Sequence, residues 1–209
     1  MAHETIITEN SDFFRAACKG EWKESQEKLV RLPEVKPKIF EVYLGWLYTG
    51  KIDVLSTCFG EGGETCLRYE DVLEDDQASI SRKLIRSFAL GDLLQDIIFR
   101  NSIIDELILY AEAAHTLPGP EGIELLCDVV ATPSTLMKLC VDYIIVELDE
   151  AAFNDRVHKY PATFLIEIAK ASVRDRDLTR EERYPLDRDR CFYHEHEDGK
   201  GKTRCCSKK

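Results

Sequence analysis

The residues best suited to chemistry lie in the last twenty positions of the sequence. Cys191, His194, His196 and Cys205, with Cys206 beside the last, supply the thiolates and imidazoles that zinc prefers. Four such ligands can close a structural zinc site, and metal binding would order a segment whose composition alone predicts mobility. The spacing is not that of a standard zinc finger, so a polar tail with incidental cysteines and histidines is the commoner interpretation.

Other residue combinations give little sign of catalysis. His115 and His158 could in principle act as a base for a cysteine nucleophile, but nothing in the sequence brings them together. Gly60, Gly62 and Gly63 are not followed by the lysine–serine pair of a phosphate-binding loop. The sequence therefore predicts a protein that is not an enzyme.

Composition limits the classes of partner. The 209 residues are 44% hydrophobic, which is enough for a core, and the net charge is -11. An acidic chain is poorly suited to binding nucleic acid or an anionic membrane. The sequence contains 8 cysteines and no visible export signal, and Cys18, Cys127 and Cys140 fall in apolar helical patterns. We therefore expect reduced, mostly buried thiols and a cytoplasmic or nuclear location.

The elements that must position these residues are mostly helical. Apolar periodicity, caps and breakers predict helices over residues 3–19, 37–49, from about 79, 96–115, 121–130, 134–147 and 161–173. Short strands are predicted at 28–32 and 52–55. The acidic, glycine-containing stretch at 57–76 is typical of a solvated loop, and the charged stretch after Asp175 is typical of a solvated helix or disorder. The predicted fold class is α+β, mostly helical, with a reduced β-sheet.

Several sequence blocks together resemble a BTB/POZ domain, particularly the BTB proteins common in fungi. The resemblance covers roughly residues 3–115, and similar proteins carry further helices like those at 121–173. The matching blocks are Ser11–Ala17, Trp22–Glu24, Leu32–Glu34, Phe40–Gly50, Leu90–Asp92 and Phe99–Asn101, of which Phe40–Gly50 is the most specific.

The resemblance implies a domain organisation. It divides the chain into a BTB/POZ-like helical core at 1–115, a helical extension at 116–175 and a charged tail with the Cys/His cluster at 176–209. His3 corresponds to the histidine that follows the family's first β-hairpin, so the resemblance also implies an N-terminally truncated domain that lacks this hairpin.

The function implied by the resemblance is protein–protein interaction. Partners would be a second copy of the chain or other proteins, and some relatives serve as substrate adaptors for cullin-type ubiquitin ligases. The alternative is a metal-stabilised or metal-sensing protein built around Cys191, His194, His196 and Cys205.

Overall fold

The computed structural model describes residues 3–19, 23–54, 74–115 and 118–196, and within these ranges the chain is mostly helical. The α-helices are α1 (Glu4–Asn10), α2 (Asp12–Cys18), α3 (Lys23–Glu27), α4 (Pro37–Thr49), α5 (Glu74–Leu93), α6 (Ile97–Ala114), α7 (Pro120–Val129), α8 (Thr135–Glu147), α9 (Glu150–Arg156), α10 (Ala162–Arg174) and α11 (Arg180–Arg183). Short 3-10 turns lie at Val157–Lys159, Pro185–Asp187 and Arg190–Tyr193. None of the described helices is both long and apolar enough to cross a bilayer.

Local chemistry sets several helix ends. Ser11 caps α2, because its hydroxyl accepts a hydrogen bond from the Phe14 backbone N–H at 3.1 Å. The backbone of Ser11 is extended, with a φ of -99°, so the helix predicted at 3–19 is two helices. Pro37 occupies the first turn of α4, and Gly50 ends it in the left-handed conformation with a φ of 70°.

An aromatic cluster joins α2, α4 and α6. Tyr43 and Trp46 lie about one turn apart on α4, and their rings contact Phe99 at centroid distances of 4.9 and 5.0 Å. The Tyr43 hydroxyl donates to the Asp96 carboxylate at 3.0 Å. Asp96 also accepts from the Phe99 backbone N–H at 2.9 Å and so caps α6. With Phe14 stacked over Tyr43, aromatic side chains fill the space between these helices.

Helices α5 and α6 approach closely across the short turn at 94–96. A Cβ atom built on Gly91, in the last turn of α5, would lie 2.7 Å from Arg100 Cγ and 3.0 Å from Phe99 Cδ1. A side chain there would collide with the start of α6. Glycine therefore permits the close packing that holds Phe99 in the aromatic cluster.

The predicted β-sheet does not form among the described residues. Residues 28–32 and 52–54, the described part of the second predicted strand, have irregular backbone rather than strand structure. In residues 28–32 the side chains still alternate between buried and exposed positions. Val30 and Leu32 pack against the core, whereas Leu29 is 45% exposed. The α+β class is thus corrected to a helical fold for the described part of the chain.

The predicted helical extension begins after α6. Helix α7 packs against α5, and α10 packs against both α7 and α8, which places the extension directly on the N-terminal helices. The division into domains stays a prediction. The predicted acidic loop at 57–76 lies outside the described residues up to position 73, and its last residues, 74–76, begin α5.

The charged segment after Asp175 is exposed at its start and attached to the core from Pro185 onward. Tyr193 is fully buried and Pro185 is buried, and the turns that carry them contact α6 and α8. Residues 176–179 are exposed, as predicted, but the prediction of a solvated helix or disorder is wrong for residues 185–190, because buried anchors attach this part of the polar segment to the core. Residues 197–209 lie outside the described chain.

Candidate interaction surface

The end of the described chain is attached to α6 by polar contacts. We call residues 180–196 the C-terminal strap. Within it, His194 Nε2 lies 3.0 Å from Asp105 Oδ1. The Glu195 backbone N–H donates to Asn101 Oδ1, and Asn101 Nδ2 donates to the Glu195 carbonyl, both at 2.9 Å. Because the contacts move from position 105 to position 101, the strap runs along α6 toward its N-terminal end.

A buried carboxylate connects the strap to α8 and α10. Asp142 on α8 is only 5% exposed, and its Oδ2 accepts a hydrogen bond from the Tyr193 hydroxyl at 2.9 Å. The guanidinium groups of Arg174 and Arg188 lie 3.6 and 3.9 Å from its oxygens. Burial raises the pKa of Asp142, and the Tyr193 hydrogen bond and the nearby cations only partly offset that effect.

The raised pKa of Asp142 makes stability depend on pH. The folded state binds the proton more tightly than the unfolded state, so this carboxyl costs stability as pH rises from about 4 through the folded pKa. An Asp142→Asn variant lacks that ionisation. We expect the stability of the variant, relative to the parent chain, to be more favourable at neutral pH than in acid. Urea unfolding of both proteins at a series of pH values, from acid to neutral, measures this difference in the free energy of unfolding.

Asp177→Asn is the matched control, because the Asp177 side chain is 92% exposed. Its stability should stay within about 0.5 kcal/mol of the parent, as for most surface substitutions. A pH-independent difference for Asp142→Asn would contradict the proposed cost of ionising Asp142.

A groove lies where α5, α8 and α10 meet. This junction groove encloses about 500 Å³, with Phe88, Met137 and Val141 among its apolar lining. Lys138 and Glu195 are among its charged residues. The Lys138 ammonium also lies 3.4 Å from the centre of the Phe192 ring, so a cation–π contact holds it toward the strap. The groove therefore combines an apolar floor with charges of both signs.

Helix α10 presents apolar side chains to solvent along its whole length. Ala162, Ile166, Ala169 and Val173, which we call the α10 stripe, are all exposed and are spaced by four, three and four positions. Ile166 is 52% and Val173 is 71% exposed. The opposite face is already in the core, where Phe164 is fully buried. An exposed stripe with this spacing is suited to packing against another helix.

The predicted zinc ligands that the structure describes, Cys191, His194 and His196, are not gathered into a site. Cys191 is partly buried, His194 is buried against α6, and the exposed His196 has its ring centroid 6.5 Å from that of His194. Cys205 and Cys206 lie outside the described residues. Among the residues the structure covers, no group of three or more Cys, His, Asp or Glu is placed to hold a metal. The zinc site and the metal-sensing alternative stay predictions.

The described cysteines are free thiols, but most of them are not deeply buried. Cys18, Cys127 and Cys191 are partly buried, and of the four described only Cys140 is fully inside. Burial raises the pKa of the Cys140 thiol to about 12, which makes it a poor nucleophile. The expectation that most thiols are buried is therefore wrong for these residues.

Sequence reasoning did not identify Asp142 as important. A signal was present, because this carboxylate stands between Val141 and Tyr143 in a helix that is apolar on all sides. A charge in such a helix must be paired when it is buried, which predicts a partner elsewhere in the chain. The partners themselves, Tyr193 and Arg188, lie about fifty positions away, where no local pattern indicates them.

Comparison with known proteins finds similarity in the N-terminal third of the chain. Residues 1–66 match the family model of the BTB/POZ domain. Human Kelch-like protein 21 is 34% identical over 73 residues, which cover 35% of this chain and 12% of that protein. Mouse TD and POZ domain-containing protein 1 is 36% identical over 50 residues, covering 24% of this chain and 14% of the relative.

A plant protein is similar to this chain at a comparable level of identity. The ARM repeat protein interacting with ABF2 from Arabidopsis thaliana is 32% identical over 53 residues, which cover 25% of this chain and 8% of that protein. The chain therefore spans only a small part of the relatives it matches. No solved structure matches it. These findings support a BTB protein and an interaction module, whereas the fungal subtype stays a prediction.

Proposed function

We propose that this chain recruits protein partners, with the BTB/POZ-matching segment and the helical extension acting as one interaction module. The observation that carries the proposal is the match of residues 1–66 to the BTB/POZ domain. The packing of α7 against α5 supports treating the extension as part of the same module. Catalysis is not part of the proposed role.

The α10 stripe is the proposed contact surface for a partner helix. Ile166 and Val173 are large apolar side chains that remain more than half exposed, which is unfavourable unless another surface covers them. Their spacing of seven positions places them on one side of α10. Burying both against an apolar partner would supply binding energy at the centre of an interface.

Two classes of partner fit the resemblance. One is a second copy of the chain, in which two α10 stripes would pack together. The other is a scaffold protein, because some BTB/POZ proteins serve as substrate adaptors for cullin-type ubiquitin ligases. Of the two, we propose the adaptor role as the more specific hypothesis. We also propose that the protein acts in the cytoplasm or the nucleus.

Charging the α10 stripe should abolish recruitment without unfolding the chain. In an Ile166→Glu, Val173→Glu double variant, two carboxylates would have to lose water on binding. We expect capture of the main partner from source-cell extract to fall by at least about tenfold, as for hot-spot residues. Quantitative mass spectrometry of proteins captured by the parent and the variant is the measurement, with light scattering of each purified protein to detect self-association.

The matched control is Thr163→Glu, Ser172→Glu, which adds the same charge at exposed positions of α10 outside the stripe. This control should capture partners as the parent does. If the stripe variant and the control retain the same partners and the same mass in solution, the α10 stripe is not the contact surface.

A further inference from the structure

A second groove lies beside the start of the chain and has an apolar floor with an acidic rim. We call it the N-terminal groove. It encloses about 620 Å³, and Phe13, Ala17 and Val30 are among its apolar lining residues. Its charged lining residues are three acids, Asp12, Glu24 and Glu27, and one base, Arg31, and Glu24 and Glu27 of α3 are exposed. A ligand suited to this groove would carry positive charges on both sides of a small apolar group.

The C-terminal strap leads toward this groove. The Glu195 carboxylate lies 2.6 Å from Arg100, and Arg100 in turn lies 2.8 Å from Asp92 at the end of α5. The backbone N–H of Gln95 donates to the Asp92 carbonyl at 3.1 Å, and Gln95 lines the N-terminal groove. A short chain of contacts therefore connects the last described residues to one wall of the groove.

The residues that follow the strap have the complementary chemistry. Positions 199–209 carry five cations and no acid: Lys200, Lys202, Arg204, Lys208 and Lys209. Cys205 and Cys206, two small apolar side chains, stand between the basic groups. Thirteen residues beyond His196 can extend over roughly 40 Å, whereas six positions separate Asn101 from Gln95, at most about 20 Å of fully extended chain. The segment is long enough to reach the groove.

We infer that residues 199–209, the basic tail, occupy the N-terminal groove of the same chain. The Cys205–Cys206 pair covers the apolar floor, and the flanking cations face Glu24 and Glu27. A tethered segment needs little intrinsic affinity, because its effective concentration is in the millimolar range. The tail thereby covers an apolar surface of the BTB/POZ-matching segment and competes with any partner that binds there.

Proteolysis of the full chain tests this occupancy. Trypsin cleaves after Arg204 only when the tail is released, and intact-mass spectrometry follows that cut. In a Glu24→Gln, Glu27→Gln variant, at low salt, we expect cleavage at least about threefold faster than in the parent, because exposed ion pairs each contribute weakly. Raising the ionic strength from about 0.01 M to about 1 M, which shortens the Debye length about tenfold, should remove the difference.

Glu121→Gln, Glu124→Gln on α7 is the control, since it removes the same charge at exposed positions that do not line the groove. It should be cleaved at the parent rate. Hydrogen exchange of the unmodified chain gives a second readout: the amides of residues 24–31 should exchange faster at high salt than at low salt. Equal cleavage in all three proteins together with salt-independent exchange would overturn the proposal. Protection that rises with protein concentration would overturn it too, because the tail of a second copy would then be the occupant.

Discussion

Replacing Trp46 with alanine is expected to lower the free energy of unfolding by about 3–5 kcal/mol, the range for losing a buried large aromatic side chain. Trp46 is only 6% exposed, and its ring centroid lies 5.9 Å from Tyr43 and 5.0 Å from Phe99. Its Nε1–H donates to Ser102 Oγ at 3.1 Å, so truncation also removes a link between α4 and α6. Urea unfolding followed by circular dichroism measures the loss.

Tyr48 provides the control on the same helix. Its side chain is 46% exposed, and we expect Tyr48→Ala to cost less than about 1 kcal/mol, as for most surface substitutions. Trp46→Phe should fall between the two alanine variants, because it keeps an aromatic ring but loses the indole donor. A loss below about 1 kcal/mol for Trp46→Ala would mean that Trp46 is not a core anchor.

Helix α4 was predictable because its determinants are local. Proline in the first turn at Pro37, the apolar face that includes Tyr43 and Trp46, and a left-handed glycine at Gly50 are all contained in one stretch of sequence. The structure places the helix at Pro37–Thr49, within the predicted range of 37–49. Caps and periodicity determine such an element almost without reference to the rest of the chain.

The predicted strands failed for a different physical reason. Val54 is 1% exposed beside the exposed Asp53, and Val30 is partly buried beside the exposed Leu29, so the alternating burial is real. Alternation, however, specifies only which side chains face the core. A strand also needs a neighbouring backbone at ladder distance, and that partner is not encoded in a five-residue pattern. The described segments are irregular backbone whose apolar side chains cover the core without a ladder.

The C-terminal strap is a segment whose average composition did not predict its burial. A segment rich in arginine and acid predicts a solvated chain, but Tyr193 is fully buried and donates to Asp142, 51 positions away. Arg188 is likewise turned toward that carboxylate. Arg190 and Glu195 of the strap pair instead with Asp105 and Arg100 of α6. Local sequence contained the anchor residues but could not show that their partners exist.

Replacing Tyr193 with alanine is expected to cost about 3–5 kcal/mol and to release the C-terminal strap from the helices. The ring is fully buried in the main core, and its hydroxyl is the closest hydrogen-bond donor to the buried Asp142 carboxylate. Removing it leaves a cavity and withdraws a hydrogen bond from a charge that is already costly to bury. Urea unfolding measures the stability, and hydrogen exchange over residues 185–196 measures the release.

Two further variants separate the contributions of ring and hydroxyl. Tyr193→Phe keeps the ring and should cost about 1–3 kcal/mol, the penalty for leaving a buried polar group without its partner. Phe192→Ala is the neighbouring control: Phe192 is 44% exposed and stacks against Lys138 and Arg188, so its loss should cost about 1 kcal/mol. If Tyr193→Ala is no more destabilising than Phe192→Ala, and exchange over residues 185–196 stays at the parent rate, then Tyr193 does not anchor the strap. The strap would then depend mainly on the contacts of His194 and Glu195 with α6.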